Sequence, residues 1–111
     1  MKDAMRLKKN TEFKKVYAKG SSMANRYLVL FIMQNGQTFN RVGFSASKKV
    51  GKSVVRNRVR RLMKESFHSV EGKLEPGYDL VFIARVNSKE ASYIEIERAM
   101  IHLLKKSKLL K

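Results

Sequence analysis

The densest chemistry in the chain lies between Ser45 and Lys64, where Ser45-Ala46-Ser47-Lys48-Lys49-Val50-Gly51-Lys52-Ser53 leads into Val54-Val55-Arg56-Asn57-Arg58-Val59-Arg60-Arg61-Leu62-Met63-Lys64. At about 100° per residue, Val55, Val59, Leu62, Met63, Phe67 and Val70 share an arc of roughly 140°. Arg56, Asn57, Arg58, Arg60, Arg61 and Lys64 populate the other side, with Glu65 the one acid among them. Like charges at i and i+4, Arg56 with Arg60 and Arg60 with Lys64, oppose the helix by about 0.2–0.5 kcal/mol per pair. A solvated face ordinarily mixes acids and bases at that spacing. A face that keeps the repulsion instead is built for an anion, and its preference for arginine over lysine favours forked phosphate contacts and stacking.

The same stretch fits a degenerate nucleotide-binding loop, Ala46 followed after four residues by Gly51-Lys52-Ser53, between an expected strand and an expected helix. Ser47-Lys48-Lys49-Val50 brings no further glycine, and the later apolar run Leu80–Ala84 is followed by Arg85 where a magnesium-holding Asp is wanted. Nucleotide hydrolysis is the weaker reading, while the helix-start amides beside Lys48, Lys49 and Lys52 suit a phosphate of RNA. A protein-borne hydrolytic site is hard to assemble. The acids are Asp3, Asp79 and seven scattered glutamates, His68 and His102 have no evident partner in sequence, and there is no cysteine. The expectation is no catalytic residue, no metal site and no cofactor held by the protein itself.

Twenty-five Lys and Arg against nine acids give a net charge of +16, with 43% apolar residues and a single proline. That is a folded basic globule whose partner is a polyanion, not a disordered basic tail. At 111 residues one domain, spanning 1–111, buries about 60–68% of the surface of its unfolded chain. No apolar segment follows Met1-Lys2-Asp3-Ala4-Met5-Arg6, and the longest apolar run, 28–33, is too short to cross a bilayer. A cytoplasmic protein with no membrane partner is expected, in a reducing compartment.

The elements that position these groups follow from periodicity. Phe13, Val16 and Tyr17 at i, i+3, i+4 predict a first helix, capped by Asn10 or Thr11 and stopped at Gly20. Residues 27–34 and 39–46 predict two antiparallel strands about the hairpin signal Asn35-Gly36. Ser53 caps a long helix to about Val70, Leu80–Ala84 reads as a buried strand, and Ser92 with Glu95 forms a capping box for a last helix carrying Ile96, Ala99, Met100, Leu103 and Leu104. The order is α-β-β-α-β-α, an α+β domain. Periodicity leaves open whether the 39–46 and 80–84 strands are parallel neighbours; if they are, the default crossover is right-handed.

Phe13 and Tyr17 lie one turn apart on a lysine-rich helix, where rings can stack unpaired bases while Lys14 and Lys15 meet phosphates. Periodicity favours a core role for both, since that helix has no other apolar stripe. Tyr27, Val29 and Phe31 share one strand face and Leu28, Leu30 and Ile32 the other, which leaves the aromatic face to line a groove.

The run 45–51 leading to Arg56-Asn57-Arg58-Val59-Arg60-Arg61, with Arg6-Leu7-Lys8-Lys9-Asn10, Ala24-Asn25-Arg26 and Asp79-Leu80-Val81-Phe82-Ile83-Ala84-Arg85, resembles the bacterial ribonuclease P protein family over nearly the whole chain. The resemblance implies an α/β sandwich of the ribosomal protein S5 domain 2-like type, with a left-handed β-α-β crossover that opposes the default. It implies a subunit that binds the catalytic RNA of ribonuclease P and helps it remove the 5′ leader from precursor tRNA, the RNA and its Mg2+ performing the hydrolysis. The catalytic-RNA contacts then fall on Lys48, Lys49, Lys52, Arg56, Asn57, Arg58, Arg60, Arg61 and Lys64. A cleft for the single-stranded leader falls on Lys9, Phe13, Tyr17, Arg26 and Phe31, with Tyr17 in place of the family's commoner phenylalanine. Two other classes stay open: a ribosomal or RNA-chaperone protein with the same basic helix, and a small P-loop nucleotide-binding protein.

Overall fold

The computed structural model describes residues 5–111, which fold in the order β1 (Met5–Arg6), α1 (Asn10–Lys19), β2 (Ser21–Ala24), β3 (Leu28–Gln34), β4 (Arg41–Ala46), α2 (Ser53–Val70), β5 (Tyr78–Ala84) and α3 (Tyr93–Lys106), with 3-10 turns at Glu71–Lys73 and Val86–Glu90. The basic start and Asp3 noted in the sequence lie outside the described residues, apart from Met5 and Arg6. The five strands form one sheet in the order β1-β4-β5-β3-β2.

Pleating sends Leu28 and Leu30 of β3, Val42, Phe44 and Ala46 of β4, and Leu80, Phe82 and Ala84 of β5 to one face, where Val59, Met63, Phe67 and Val70 of α2 and the apolar stripe of α3 bury them. The Phe44, Phe67 and Phe82 rings meet there at centroid distances of 5.9–6.0 Å. On the other face Val81 packs with Leu7 and with Val16 of α1, flanked by Phe13, Phe31, Met33 and Ile83. Helices therefore cover both faces, which is why β5 is apolar on both.

The 27–34 and 39–46 strands do not pair with each other. β5 lies between them, antiparallel to β3 (Leu30 opposite Phe82) and parallel to β4 (Phe44 opposite Phe82), with α2 as the crossover from β4. Asn35-Gly36 still makes a turn, but residues 35–40 form a wider loop. Asn35 holds it by accepting from the Gln37 N–H and donating to the Phe39 carbonyl and to Asp79 Oδ1. The true hairpin joins β2 to β3, Ala24 opposite Val29, about Asn25, whose Oδ1 accepts from the Tyr27 and Leu28 N–H groups. Tyr27 sits in that turn, outside the pleat, and packs with the α3-side core instead of sharing a face with Val29 and Phe31.

Two expected N-caps shift, and Gly20 ends α1 as expected. Helix α1 begins at Asn10 with Lys9 as N-cap, because Glu12 reaches back to accept from the Lys8 and Lys9 N–H groups at 3.0 Å each. Gly20 ends α1 with an ordinary φ of −82°. A Cβ there would stand 2.6 Å from the Val16 carbonyl oxygen and 2.7 Å from that of Ile32, so close approach is what requires glycine. Ser53 is the first helical residue of α2, after Lys52. The Ser92–Glu95 capping box forms as expected.

The start of α1 is tied to the sheet by charge. Asp79 on β5, 1% exposed, accepts from Arg41 of β4 twice, Nε to Oδ1 at 2.8 Å and Nη2 to Oδ2 at 2.6 Å. Arg41 Nη1 goes on to Glu12 Oε2 at 2.8 Å. The Lys8 and Lys9 amides, with Arg41 beside them, hold the Glu12 carboxyl below its usual range. A carboxyl lowered on folding stabilises the fold above its unfolded pKa, and that contribution disappears as pH falls through the folded value. The protection factors of the Lys8 and Lys9 amides are therefore expected to fall relative to those of β5 on acidification from pH 6 to pH 3. An equal loss of protection in both would place the acid-labile contact elsewhere.

Candidate nucleic-acid interface

Helix α2 presents its charges as the periodicity predicts, except that Arg56, seven residues before the buried Met63, lies on the edge of the apolar side. Val59, Met63, Phe67 and Val70 are buried, Val55 and Leu62 lie at the boundary, and Asn57, Arg58, Arg61 and Lys64 are exposed, with Arg56 and Arg60 half-buried at the edge. Among the described residues Arg41 is the one arginine or lysine with a carboxylate within 4 Å. Arg56 donates from Nη2 to Ser53 Oγ at 3.1 Å while its Nε is buried without a partner, and Arg60 donates to Asn57 Oδ1. Those contacts aim two guanidiniums along the helix without neutralising them, and the Asn57 amide acts as the positioner of Arg60.

Arg58 behaves differently from its neighbours. Its Nη2 donates to the Ala91 carbonyl at 2.9 Å and its Nη1 to that of Lys89 at 3.4 Å. It therefore fastens α2 to the segment before α3, a structural task its spacing did not reveal. Lys48, Lys49 and Lys52 stand exposed on the loop that joins β4 to α2. In that loop Gly51 is required by packing, since a Cβ would lie 2.9 Å from Val55 Cβ. Its φ of +155° is a second reason that glycine stands there.

On the opposite face of the sheet, α1 and β4 enclose an open groove of about 310 Å³ lined by Asn10, Phe13, Lys14, Tyr17, Phe44 and Ser45. Phe13 lies over Gly43, where a Cβ would come within 2.5 Å of the ring, so the glycine is what lets the ring settle onto the strand. Tyr17 stands 6.4 Å from Phe13 and edge-on to Phe31 at 5.1 Å, centroid to centroid. The core and stacking readings of this stripe divide by residue. Val16 is fully buried, Phe13 and Phe31 are partly buried, and Tyr17 is 38% exposed. Burial pushes the Tyr17 phenol up, partly offset by the Ser45 hydroxyl, so it remains a neutral hydroxyl on the groove wall. Ser45 lies two residues before the basic loop that leads to α2, so the end of β4 joins the groove to the loop carrying Lys48, Lys49 and Lys52.

Lys9, exposed at the N-cap of α1, lies one residue from the groove at Asn10. Arg26 does not join the Phe13, Tyr17 and Phe31 cluster. It sits in the β2–β3 turn, its guanidinium 5.5 Å from the centroid of the Tyr27 ring, which packs on the α3 side of the sheet. The reason is the tight turn closed by Asn25, which sequence spacing alone does not place. Asn10, Lys14 and Ser45 line the groove without having been singled out for it; their signal was position beside the aromatic stripe or at the end of a strand. His68 has a partner after all, Glu71 Oε1 at 3.2 Å from Nδ1, and the i, i+3 spacing carried that information. His102 Nδ1 lies 3.1 Å from the Asn25 amide.

Comparison with known proteins fits this geometry. The family model for ribonuclease P matches residues 1–108. The chain is 54% identical over 110 residues to the ribonuclease P protein component of Alkaliphilus metalliredigens, covering 99% of each. It is 51% identical over 102 residues to that of Clostridioides difficile, covering 91% of this chain and 90% of the other. Among solved structures it resembles the RNase P protein of Staphylococcus aureus, with a TM-score of 0.88 and 34% identity over 98% of this chain and 100% of that one. The RNase P protein of Thermotoga maritima gives 0.83 and 28% over 91% and 96%.

Proposed function

Because the chain belongs to the ribonuclease P protein family, we propose that it is the RNA-binding subunit through which the catalytic RNA of ribonuclease P gains its grip on precursor tRNA. Helix α2 and the 47–52 loop hold the catalytic RNA, and the groove between α1 and β4 takes the single-stranded 5′ leader. The observation that carries this reading is the cationic face of α2, whose guanidiniums are aimed by Ser53 and Asn57 yet matched by no carboxylate. A helix held against its own repulsion gains stability when phosphates arrive and counterions leave. The groove supports the second half: a half-exposed ring edge-on to another, with Lys14 beside it, suits an unpaired base and its phosphate.

We assign the cleavage chemistry to the RNA; among the described residues no group of three or more His, Cys, Asp or Glu side chains is placed to hold a metal ion. No helix among the described residues is long and apolar enough to cross a membrane, and the working compartment we propose is the cytoplasm, where precursor tRNA is made. Reconstitution tests the reading: protein, catalytic RNA and precursor tRNA together release the leader at lower magnesium than the RNA alone, and RNA-free protein leaves the precursor uncut. Copurification with ribosomal RNA and no gain in cleavage would assign the chain to the ribosomal or chaperone class.

Tyr17→Ala separates the groove from the core. Loss of a stacking platform is expected to weaken binding of leader-bearing precursor by about 1–3 kcal/mol while mature tRNA binds as before. Because the ring is 38% exposed, the melting temperature is expected to move by only a few degrees. A large loss of melting temperature with unchanged preference for the leader returns Tyr17 to the core.

A further inference from the structure

We infer that the turn between β2 and β3, with the 3-10 segment Val86–Glu90, forms a second RNA site, a pocket for one unpaired nucleotide on the face of the sheet away from the α1 groove. The inference rests on the RNA-binding reading above and extends it to a place that reading leaves empty.

The pocket measures about 410 Å³, within the roughly 300–1,000 Å³ typical of ligand sites, and its lining includes Arg26, Tyr27, Asn87, Lys89, Glu90 and Glu95. Its walls are fixed to each other before any ligand arrives. Arg85 Nη1 donates to the Asn25 carbonyl at 2.7 Å, Asn87 Nδ2 to that of Arg26 at 3.3 Å, and Tyr27 Oη to Glu95 Oε2 at 2.8 Å. On the α3 side the Asn25 amide donates to the Ala99 carbonyl at 2.9 Å. Such joinery removes much of the ordering cost that a site between two loose loops would carry.

The chemistry of the lining selects the ligand. The Arg26 guanidinium, 5.5 Å from the Tyr27 ring centroid and free of any carboxylate within 4 Å, offers a flat cationic surface on an aromatic one. Lys89 adds a second exposed cation, and Val86 is an apolar side chain left 46% exposed at the rim. Glu95 is already committed to the α3 cap and to Tyr27, whereas Glu90 is exposed beside the opening. Two cations beside two carboxylates do not suit a chain of phosphates. They suit one base, held by stacking and by a carboxylate and amide at its edge, with one phosphate on Arg26 or Lys89. Arg58 of α2 donates to the Lys89 carbonyl, so the pocket abuts the helix that grips the catalytic RNA, and an RNA strand leaving α2 meets it next.

The test uses the full chain in the reconstituted complex. Arg26→Gln with Lys89→Gln is expected to weaken binding about ten-fold, since both side chains are exposed and the turn is held through the Arg26 backbone. A loss for the catalytic RNA alone and a loss for precursor tRNA on the assembled complex identify which RNA supplies the nucleotide, and either supports the site. Val86→Cys, at the exposed rim in a chain with no other cysteine, carries a photoreactive tether that is expected to cross-link to an unpaired nucleotide. Affinities within two-fold of the parent for both RNAs, or cross-links confined to base-paired segments, overturn the proposal. If Arg56→Glu with Arg60→Glu still weakens assembly about a hundred-fold in that assay, only the pocket falls; if the parent chain assembles with neither RNA, the underlying reading falls with it.

Discussion

Arg56→Glu combined with Arg60→Glu is expected to lower affinity for the catalytic RNA roughly a hundred-fold, about 2.7 kcal/mol, with the helix content unchanged. Both side chains are half-buried at the edge of α2, and the hydrogen bonds of their terminal nitrogens, to Ser53 Oγ and Asn57 Oδ1, stay within the helix. Reversal removes two phosphate contacts and sets carboxylates in their place, so the slope of log affinity against log salt is expected to flatten by about 0.7–0.9 per lost contact. Titrations at three salt concentrations, beside far-ultraviolet dichroism, check both parts. An unchanged slope and affinity would make this face a solvated one. Arg58→Ala is a poor substitute in that experiment, since its loss also unfastens α2 from Ala91.

The second large effect falls on stability. Asp79→Ala is expected to cost about 3 kcal/mol, near the low end of the range for breaking a buried pair, because Arg41 keeps Glu12 and is 29% exposed. At about 4–8 °C per kcal/mol for a domain of this size, the melting temperature drops by roughly 12–24 °C. The loss is compounded at Asn35, whose amide also donates to Asp79 and holds the loop that carries the chain around β5. Thermal melts of Asp79→Ala and of Arg41→Ala with Asp79→Ala distinguish a pair from a lone buried charge: the double variant is expected to be no worse than the single one. A single variant that melts within 3 °C of the parent would show that the network is decorative.

What could be read from the sequence divides along physical lines. The three helices were legible because each repeats an apolar stripe at 3.6 residues, and Val59, Met63 and Phe67 or Ile96, Met100 and Leu103 admit no other arrangement. The cationic face of α2 came with the stripe, as its complement. Strand partners were not legible, since Asn35-Gly36 is a local signal and the insertion of β5 between β3 and β4 is a choice made across some forty residues. The aromatic groove was half legible: the rings were evident, but their exposure depends on Gly43 lying under Phe13. The Arg41, Asp79 and Glu12 cluster was invisible because its members are 29 and 38 residues apart. Arg26 was drawn to the groove by resemblance and belongs to the other face, since Asn25 closes the turn before it.

The central place of β5 also dictates how the chain assembles in time. Before Tyr78–Ala84 exists, the sheet is two separate ribbons, β1 with β4 and β2 with β3, and neither can find its other edge. Two-stranded ribbons are marginal in water, so the N-terminal two-thirds of the chain has nothing that commits it. When β5 arrives it forms both missing ladders, seven residues against β3 and six against β4, in a single step. Folding is therefore a late, keystone event with long loops to close, slower than helix formation in α2, and the cationic helix gains lasting support only when β5 completes the sheet that Val59, Met63 and Phe67 pack on.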